Sequence, residues 1–154
     1  MLILGHAGIT AFIASMIYLP ALGAVIGVLL PDVIDKGLFF LNIAPCARFI
    51  AHTVFFFPFA GLAAYAITRE KKFAVAVMLG AVFHLVEDTH YNVPWFYPFV
   101  DYEWLYTCKF GVSLGLFELI TESIGLGLLI LIFGYREKLI AIRKSLWNFI
   151  RGGK

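Results

Sequence analysis

The chain has 154 residues, of which 62% are apolar and only 14% charged, and its mean hydropathy is +0.91. Soluble domains carry ~25% charge, so this supply is too thin to cover a water-facing surface, and lipid is the solvent the composition fits. Soluble enzymes, disordered tails and nucleic-acid readers are excluded as main readings, and the net charge of +2 says little until its distribution is followed.

Residues 1–31 contain no Asp, Glu, Lys or Arg, and the first charge is Asp32. No basic region precedes the first apolar run, the pattern of an uncleaved membrane segment rather than a cleaved signal peptide. As one helix this stretch would reach ~45 Å, more than the ~30 Å of bilayer hydrocarbon, and Pro20, followed by Gly23 and Gly27, supplies a turn. The reading is a helix over 2–19 and a second over 21–38. A third covers the uncharged run 49–68, a fourth 73–92 and a fifth 111–133. The predicted class is therefore an all-α integral membrane protein of five transmembrane helices, multi-pass in a plasma or inner membrane. One domain covers 1–133 and a tail 134–154. The tail places Leu139, Ile142, Leu146 and Ile150 at helical spacing, with Trp147 nearby and basic residues between. That pattern predicts a basic amphipathic helix on an anionic cytoplasmic leaflet, a merely topogenic tail being the alternative.

Orientation follows from Lys and Arg in the short loops. The turn Arg69-Glu70-Lys71-Lys72 is basic, and so is the tail, with Arg136, Lys138, Arg143, Lys144, Arg151 and Lys154. Placing both in the cytoplasm puts the N-terminus outside and the C-terminus inside. The inner side then carries nine basic and two acidic residues (+7), and the remainder three basic and eight acidic (−5).

Ionisable groups within a span cost ~2.5–3.5 kcal/mol each near its centre, and this chain has several. His6 opens the first helix, Asp32, Asp35 and Lys36 close the second, and Arg48 and His52 open the third. The fourth holds His84, Glu87 and Asp88, and the fifth Glu118 and Glu122. Spacings of three or four put Asp32 with Asp35, Arg48 with His52, His84 with Asp88, and Glu118 with Glu122 on common helix faces. In the derived orientation all of them fall in the outer half. Imidazoles and carboxylates gathered without cysteine form a nitrogen–oxygen ligand set suited to zinc first, or to manganese or iron, and one or two divalent ions would offset much of the burial cost. Cys46 and Cys108 lack zinc-ribbon spacing and read as free buried thiols, with a bond between them left open. The aromatic segment Val93–Lys109, broken by Pro94 and Pro98, reads as an interfacial belt or as a lid over the site.

Four runs, in order, resemble a known family: the early His6, Leu30-Pro31-Asp32-x-x-Asp35-Lys36, Arg48-x-x-x-His52-Thr53 and Gly80-x-x-x-His84-x-x-x-Asp88. They look like the membrane-bound, predicted metal-dependent hydrolases that include the LexA-regulated bacterial inner-membrane protein. The family often reads His-Arg where this chain has Ala47-Arg48, and Asp-x-Asp where two residues separate Asp32 from Asp35. The resemblance implies a membrane metallohydrolase using His6, Asp32, Asp35, His52, His84 and Asp88.

The function expected is hydrolysis of a phosphoester or ester in a membrane lipid or lipid-linked substrate. His6, Asp32, His52, His84 and Asp88 are expected as ligands, with Asp35 as a bridging ligand or as a group orienting His6 or His52 from behind. Glu118 or Glu122 is the expected general base, and Arg48 the phosphate-binding cation. The alternatives are a metal-ion or proton-coupled transporter, and a noncatalytic membrane partner with a structural metal; an oligomer fits any of them. The charge asymmetry generates the first test. A cysteine introduced beside Lys71 should label only from the cytoplasmic face, and labelling from outside would reverse the orientation.

Overall fold

The computed structural model describes residues 3–108 and 115–150, without the side chains of residues 136, 139, 143 and 146. Among the described residues there are six α-helices: α1 (Ile3–Met16), α2 (Ala21–Phe40), α3 (Phe56–Thr68), α4 (Lys71–Glu87), α5 (Leu116–Gly134) and α6 (Arg136–Ile150). Two short 3₁₀ turns, Ile50–His52 and Glu103–Tyr106, lie in the long connections. No strand occurs among the described residues.

Five apolar helices stand where the uncharged runs predict them, but most are shorter than expected. α1 has 14 residues and α3 has 13, rises of only ~20 Å. α2 has 20 residues but carries Asp32, Asp35 and Lys36. Among the described residues, α5 alone, with 19 residues and a mean hydropathy of 2.1, is long and apolar enough to cross a membrane. The all-helical class and the five apolar helices thus stand, with one of them of spanning length by itself.

The helix ends have local causes. α1 ends because Tyr18 adopts a left-handed φ of 64° and the Leu19 amide donates back to the Ala14 carbonyl at 2.9 Å. α2 ends the same way, with Asn42 at φ 57° and the Ile43 amide donating to the Leu38 carbonyl at 2.9 Å. Both are left-handed helix terminations that satisfy orphan carbonyls, with Tyr and Asn at a place glycine usually takes. α3 starts at Phe56 rather than at residue 49, because the amides of Phe49, Ala51 and His52 donate to the Asp35 carboxylate. Pro58 falls in its first turn, where a missing N–H costs no hydrogen bond.

Packing relies on backbones in contact. α2 and α4 bury Gly23, Ala24, Gly27 and Val28 against Ala76, Val77 and Gly80. A Cβ on Gly27 would lie 2.0 Å from the Val77 carbonyl oxygen, and one on Gly80 2.2 Å from that of Ala24. α1 and α5 meet likewise through Gly8 and Gly125, where an added Cβ would stand 2.1 Å from a facing carbonyl oxygen on either side. α4 also packs on α3, and α1 on α2. Small residues that let backbones approach are how helices associate in lipid, where burying Leu gains nothing. The large apolar side chains face outward: Leu62 and Ile67 on α3, and Leu119, Ile130 and Phe133 on α5, are exposed.

α6 follows α5 directly. The Trp147 ring meets that of Tyr18 edge-on at 5.6 Å, which brings α6 against the α1–α2 turn. Ile142 and Ile150 of the predicted apolar stripe are exposed; the Leu139 and Leu146 side chains lie outside the described residues, as do Lys109, the expected helix start at Gly111, Arg151 and Lys154.

The glycine contacts yield a test. Gly80→Leu should destabilise the fold by about 3 kcal/mol or more, since a backbone carbonyl cannot move aside as a side chain can. Gly127→Leu, where a Cβ meets nothing within 4 Å, should leave thermal unfolding in detergent unchanged.

Candidate metal centre

His6 lies in the first turns of α1, Asp32 and Asp35 near the end of α2, and His84 and Asp88 at the end of α4. In this up-and-down arrangement those positions share one end of the bundle, and the α2–α3 connection brings Arg48 and His52 to it.

Asp35 organises that connection. Its carboxylate is fully buried and accepts the backbone amides of Phe49 at 2.6 Å, Ala51 at 3.0 Å and His52 at 3.2 Å. The same carboxylate receives His52 Nδ1 at 2.7 Å. An ionised carboxylate only accepts, so Nδ1 of His52 carries the proton and Nε2 keeps its lone pair. Of the two roles expected for Asp35, the geometry is that of the orienting group. Arg48 and His52 are not one turn apart on an α-helix, as their spacing predicts; they sit in a loop and a 3₁₀ turn and reach the site separately.

His6 repeats the pattern. Its Nδ1 lies 2.5 Å from Glu87 Oε2, and Thr10 Oγ1 donates to the other oxygen of Glu87 at 3.5 Å. That pairing turns His6 Nε2 toward Asp88 Oδ1, 3.4 Å away. His84 sits between the other two imidazoles, stacked on His6 at 4.6 Å and edge-on to His52 at 4.8 Å. His84 Nε2 is 3.0 Å from His52 Nε2, and Asp32 Oδ1 lies 3.6 Å and 4.0 Å from those two nitrogens.

The result is a buried cluster of lone pairs. With Nδ1 of His6 and of His52 against Glu87 and Asp35, the neutral form of either imidazole presents Nε2 as an acceptor toward Oδ1 of Asp88 or of Asp32. His6 Nε2 and His84 Nδ1 are buried with no hydrogen-bond partner. Buried polar atoms are normally satisfied, and facing acceptors repel unless a cation lies between them. Ligand atoms of His6, Asp32 and His84, and of His52, His84 and Asp88, lie within 4.8 Å of one another. Histidines whose far nitrogens are fixed by carboxylates are the usual arrangement behind a metal. These residues fit a divalent cation.

Two cations border the cluster. Arg48 Nε donates to Asp88 Oδ2 at 3.0 Å, and its guanidinium lies 4.3 Å above the Tyr91 ring. Lys36 Nζ donates to Asp32 Oδ2 at 2.6 Å.

Glu118 and Glu122, the expected general bases, have other partners. Glu118 accepts the Tyr91 hydroxyl and, at 3.0 Å, the Gly115 amide at the start of its own helix. Glu122 accepts the amides of Leu4 at 2.9 Å and Gly5 at 2.8 Å. Both carboxylates are thus engaged by hydrogen-bond donors of the protein itself. Burial and the neighbouring Glu118 carboxylate push the Tyr91 phenol up to about 12, which keeps it a donor.

Thr10, Lys36 and Tyr91 have no assigned role in the sequence reading. Tyr91 follows Asp88 by three residues but beyond the helix end, where periodicity carries no information. Cys46 and Cys108, expected as free thiols, are bonded to each other. Their bond, the Val54 amide donating to the Trp95 carbonyl at 2.9 Å, and ring contacts of Phe49 with Tyr97 and Phe55 with Phe99 pin the aromatic segment to the α2–α3 connection. These contacts fasten the segment to the α2–α3 connection.

The sequence model of the YdjM inner membrane protein family matches residues 1–149, and the chain belongs to that family of inner membrane proteins. No curated protein and no solved structure matches it.

The Asp35 carboxylate generates a prediction. Asp35→Ala leaves three amides without their acceptor, at about 1–3 kcal/mol each, and should lower stability by about 3 kcal/mol or more. Lys36→Ala removes only a partly exposed pair and should cost under about 1 kcal/mol in the same detergent denaturation series.

Proposed function

We propose that this member of the YdjM inner membrane protein family is a membrane-embedded, metal-dependent hydrolase acting on a phosphoester or ester of a membrane lipid or lipid-linked substrate. The observation that carries the reading is the set of buried acceptors converging from α1, α2, α4 and the His52 turn, with the far nitrogens of His6 and His52 fixed by Glu87 and Asp35.

His6, Asp32, His52, His84 and Asp88 would hold the ion, zinc being the first candidate for a nitrogen–oxygen set. A divalent ion held there supplies Lewis acidity and lowers the pKa of a water toward ~7. Asp35 and Glu87 keep His52 and His6 in the tautomer that leaves Nε2 free to bind. Arg48 keeps one edge of its guanidinium on Asp88, and its remaining N–H donors are available to an anionic oxygen. Lys36 adds a second positive charge on the Asp32 side. Cations on both sides of the cluster favour a phosphate-bearing substrate over a neutral ester.

The orientation with N-terminus outside belongs to the same proposal, as does the multi-pass arrangement. The inner side carries +7 and the remainder −5. A Cys46–Cys108 disulfide at the site end of the bundle supports the same placement, since such bonds persist in oxidising compartments outside the cytosol. Both features favour a substrate approached from the outer leaflet. Helices α1 and α3, too short to cross alone, suit a bundle whose polar end lies partway into that leaflet, beneath the aromatic cover.

Elemental analysis of protein purified without added metal should find a divalent transition metal. His84→Ala and Asp88→Ala should lose it while far-ultraviolet circular dichroism remains helical. Full metal occupancy in Asp88→Ala would remove Asp88 from the ligand set, and metal-free wild-type protein that binds no added zinc would end the reading.

A further inference from the structure

The cluster accounts for its histidines and aspartates but leaves an intramembrane carboxylate, Glu122, with no chemical task. Its position on the spanning helix α5 gives it one. Both oxygens accept backbone amides from the first turn of α1, Leu4 at 2.9 Å and Gly5 at 2.8 Å. The amides that open a helix have no partner within it, and lipid offers no water to replace one. One turn further along α5, Gly125 lies in backbone contact with α1, where an added Cβ would be 2.1 Å from the Leu4 carbonyl oxygen. Gly8 meets Gly125 from the other side, again at 2.1 Å for an added Cβ. The first two turns of α1 are therefore gripped by α5 through Glu122 at the end and Gly125 along the side.

His6 lies between these grips, immediately after Gly5. Its two nitrogens address α4 and the residue that caps it: Nδ1 is 2.5 Å from Glu87 and Nε2 is 3.4 Å from Asp88. α1 packs mainly on α5 and α2 and much less on α4. The reach of His6 across to α4 thus depends on how α1 is seated along its own axis. A slide of one residue moves the backbone ~1.5 Å, enough to break the 2.5 Å contact with Glu87 and to turn Nε2 out of the cluster.

We propose that Glu122 is a positioning residue for the metal centre: by holding the Leu4 and Gly5 amides it fixes the axial seat of α1 and so the placement of His6. The proposal rests on the metal-site reading for its consequence, though not for the contact itself. A neutral acceptor serves the same purpose, so the carboxamide oxygen of glutamine should substitute for the carboxylate and an isosteric apolar side chain should not.

The experiment uses the full chain in nanodiscs, with Glu122→Gln and Glu122→Leu, and reads two quantities. Amide hydrogen exchange at Leu4 and Gly5 reports the contact without any metal, and chelator competition reports zinc affinity. Glu122→Leu should speed exchange at both amides about tenfold and weaken zinc about tenfold, within the range seen when a group behind a ligand is lost. Glu122→Gln should restore most of both. In a His6→Ala background, Glu122→Leu should bring no further loss of zinc affinity. Wild-type exchange in Glu122→Leu overturns the proposal, as does a Gln variant as impaired as the Leu variant, or an undiminished loss of zinc affinity on top of His6→Ala. If the wild-type protein binds no zinc, the metal reading and the role of Glu122 in it fall together, whereas protected amides lost in Glu122→Leu still establish the seat of α1.

Discussion

The Asp35 carboxylate is the interaction on which the polar end of this bundle depends. One buried anion accepts three amides of a single bend and an imidazole N–H, and each of those bonds does something further along the chain. The amides bend residues 49–52 out of the helical path and delay α3 until Phe56. The imidazole bond chooses the His52 tautomer and points Nε2 at His84. Arg48, immediately before the bend, is carried to Asp88. A carboxylate with so many donors is far better compensated than burial alone allows, which is why an aspartate can stand fully enclosed in a chain this apolar.

A second constraint is steric. The contacts between α2 and α4 and between α1 and α5 are made by backbone, with glycine where any Cβ would collide. Such contacts tolerate little sliding, because a carbonyl against an α-carbon has no rotamer to change. A polar cluster assembled from several segments needs that stiffness, since its hydrogen bonds and ligand distances hold over only a few tenths of an ångström. The closeness of the helices and the order of the site are one property seen at two depths.

Much of this was legible in the residues, and the remainder was hidden for physical reasons. The helices themselves were marked by uncharged runs, and the cluster by His and Asp residues that had no business in an apolar segment. Helix ends were not marked. Nothing in Phe49–Val54 announces that its amides belong to an aspartate on α2, and Tyr18 and Asn42 accept a left-handed conformation that sequence rules assign to glycine. Glu118 and Glu122 were legible as anomalies but not in their partners, because one partner is a tyrosine beyond a helix end and the others are backbone amides, which every residue possesses. The pairing of Cys46 with Cys108 was equally hidden: two cysteines at a sequence separation of 62 carry no spacing signal.

That bond has a topological consequence. It joins the segment before α3 to the segment after α4, so the α3–α4 hairpin is a closed covalent ring whose far end is the exposed turn Arg69-Glu70-Lys71-Lys72. A protease that nicks this turn severs the chain but not the molecule. The pieces bearing His6, Asp32 and His52 on one side and His84 and Asp88 on the other stay tethered beside the cluster and separate only when the sulfur–sulfur bond is reduced.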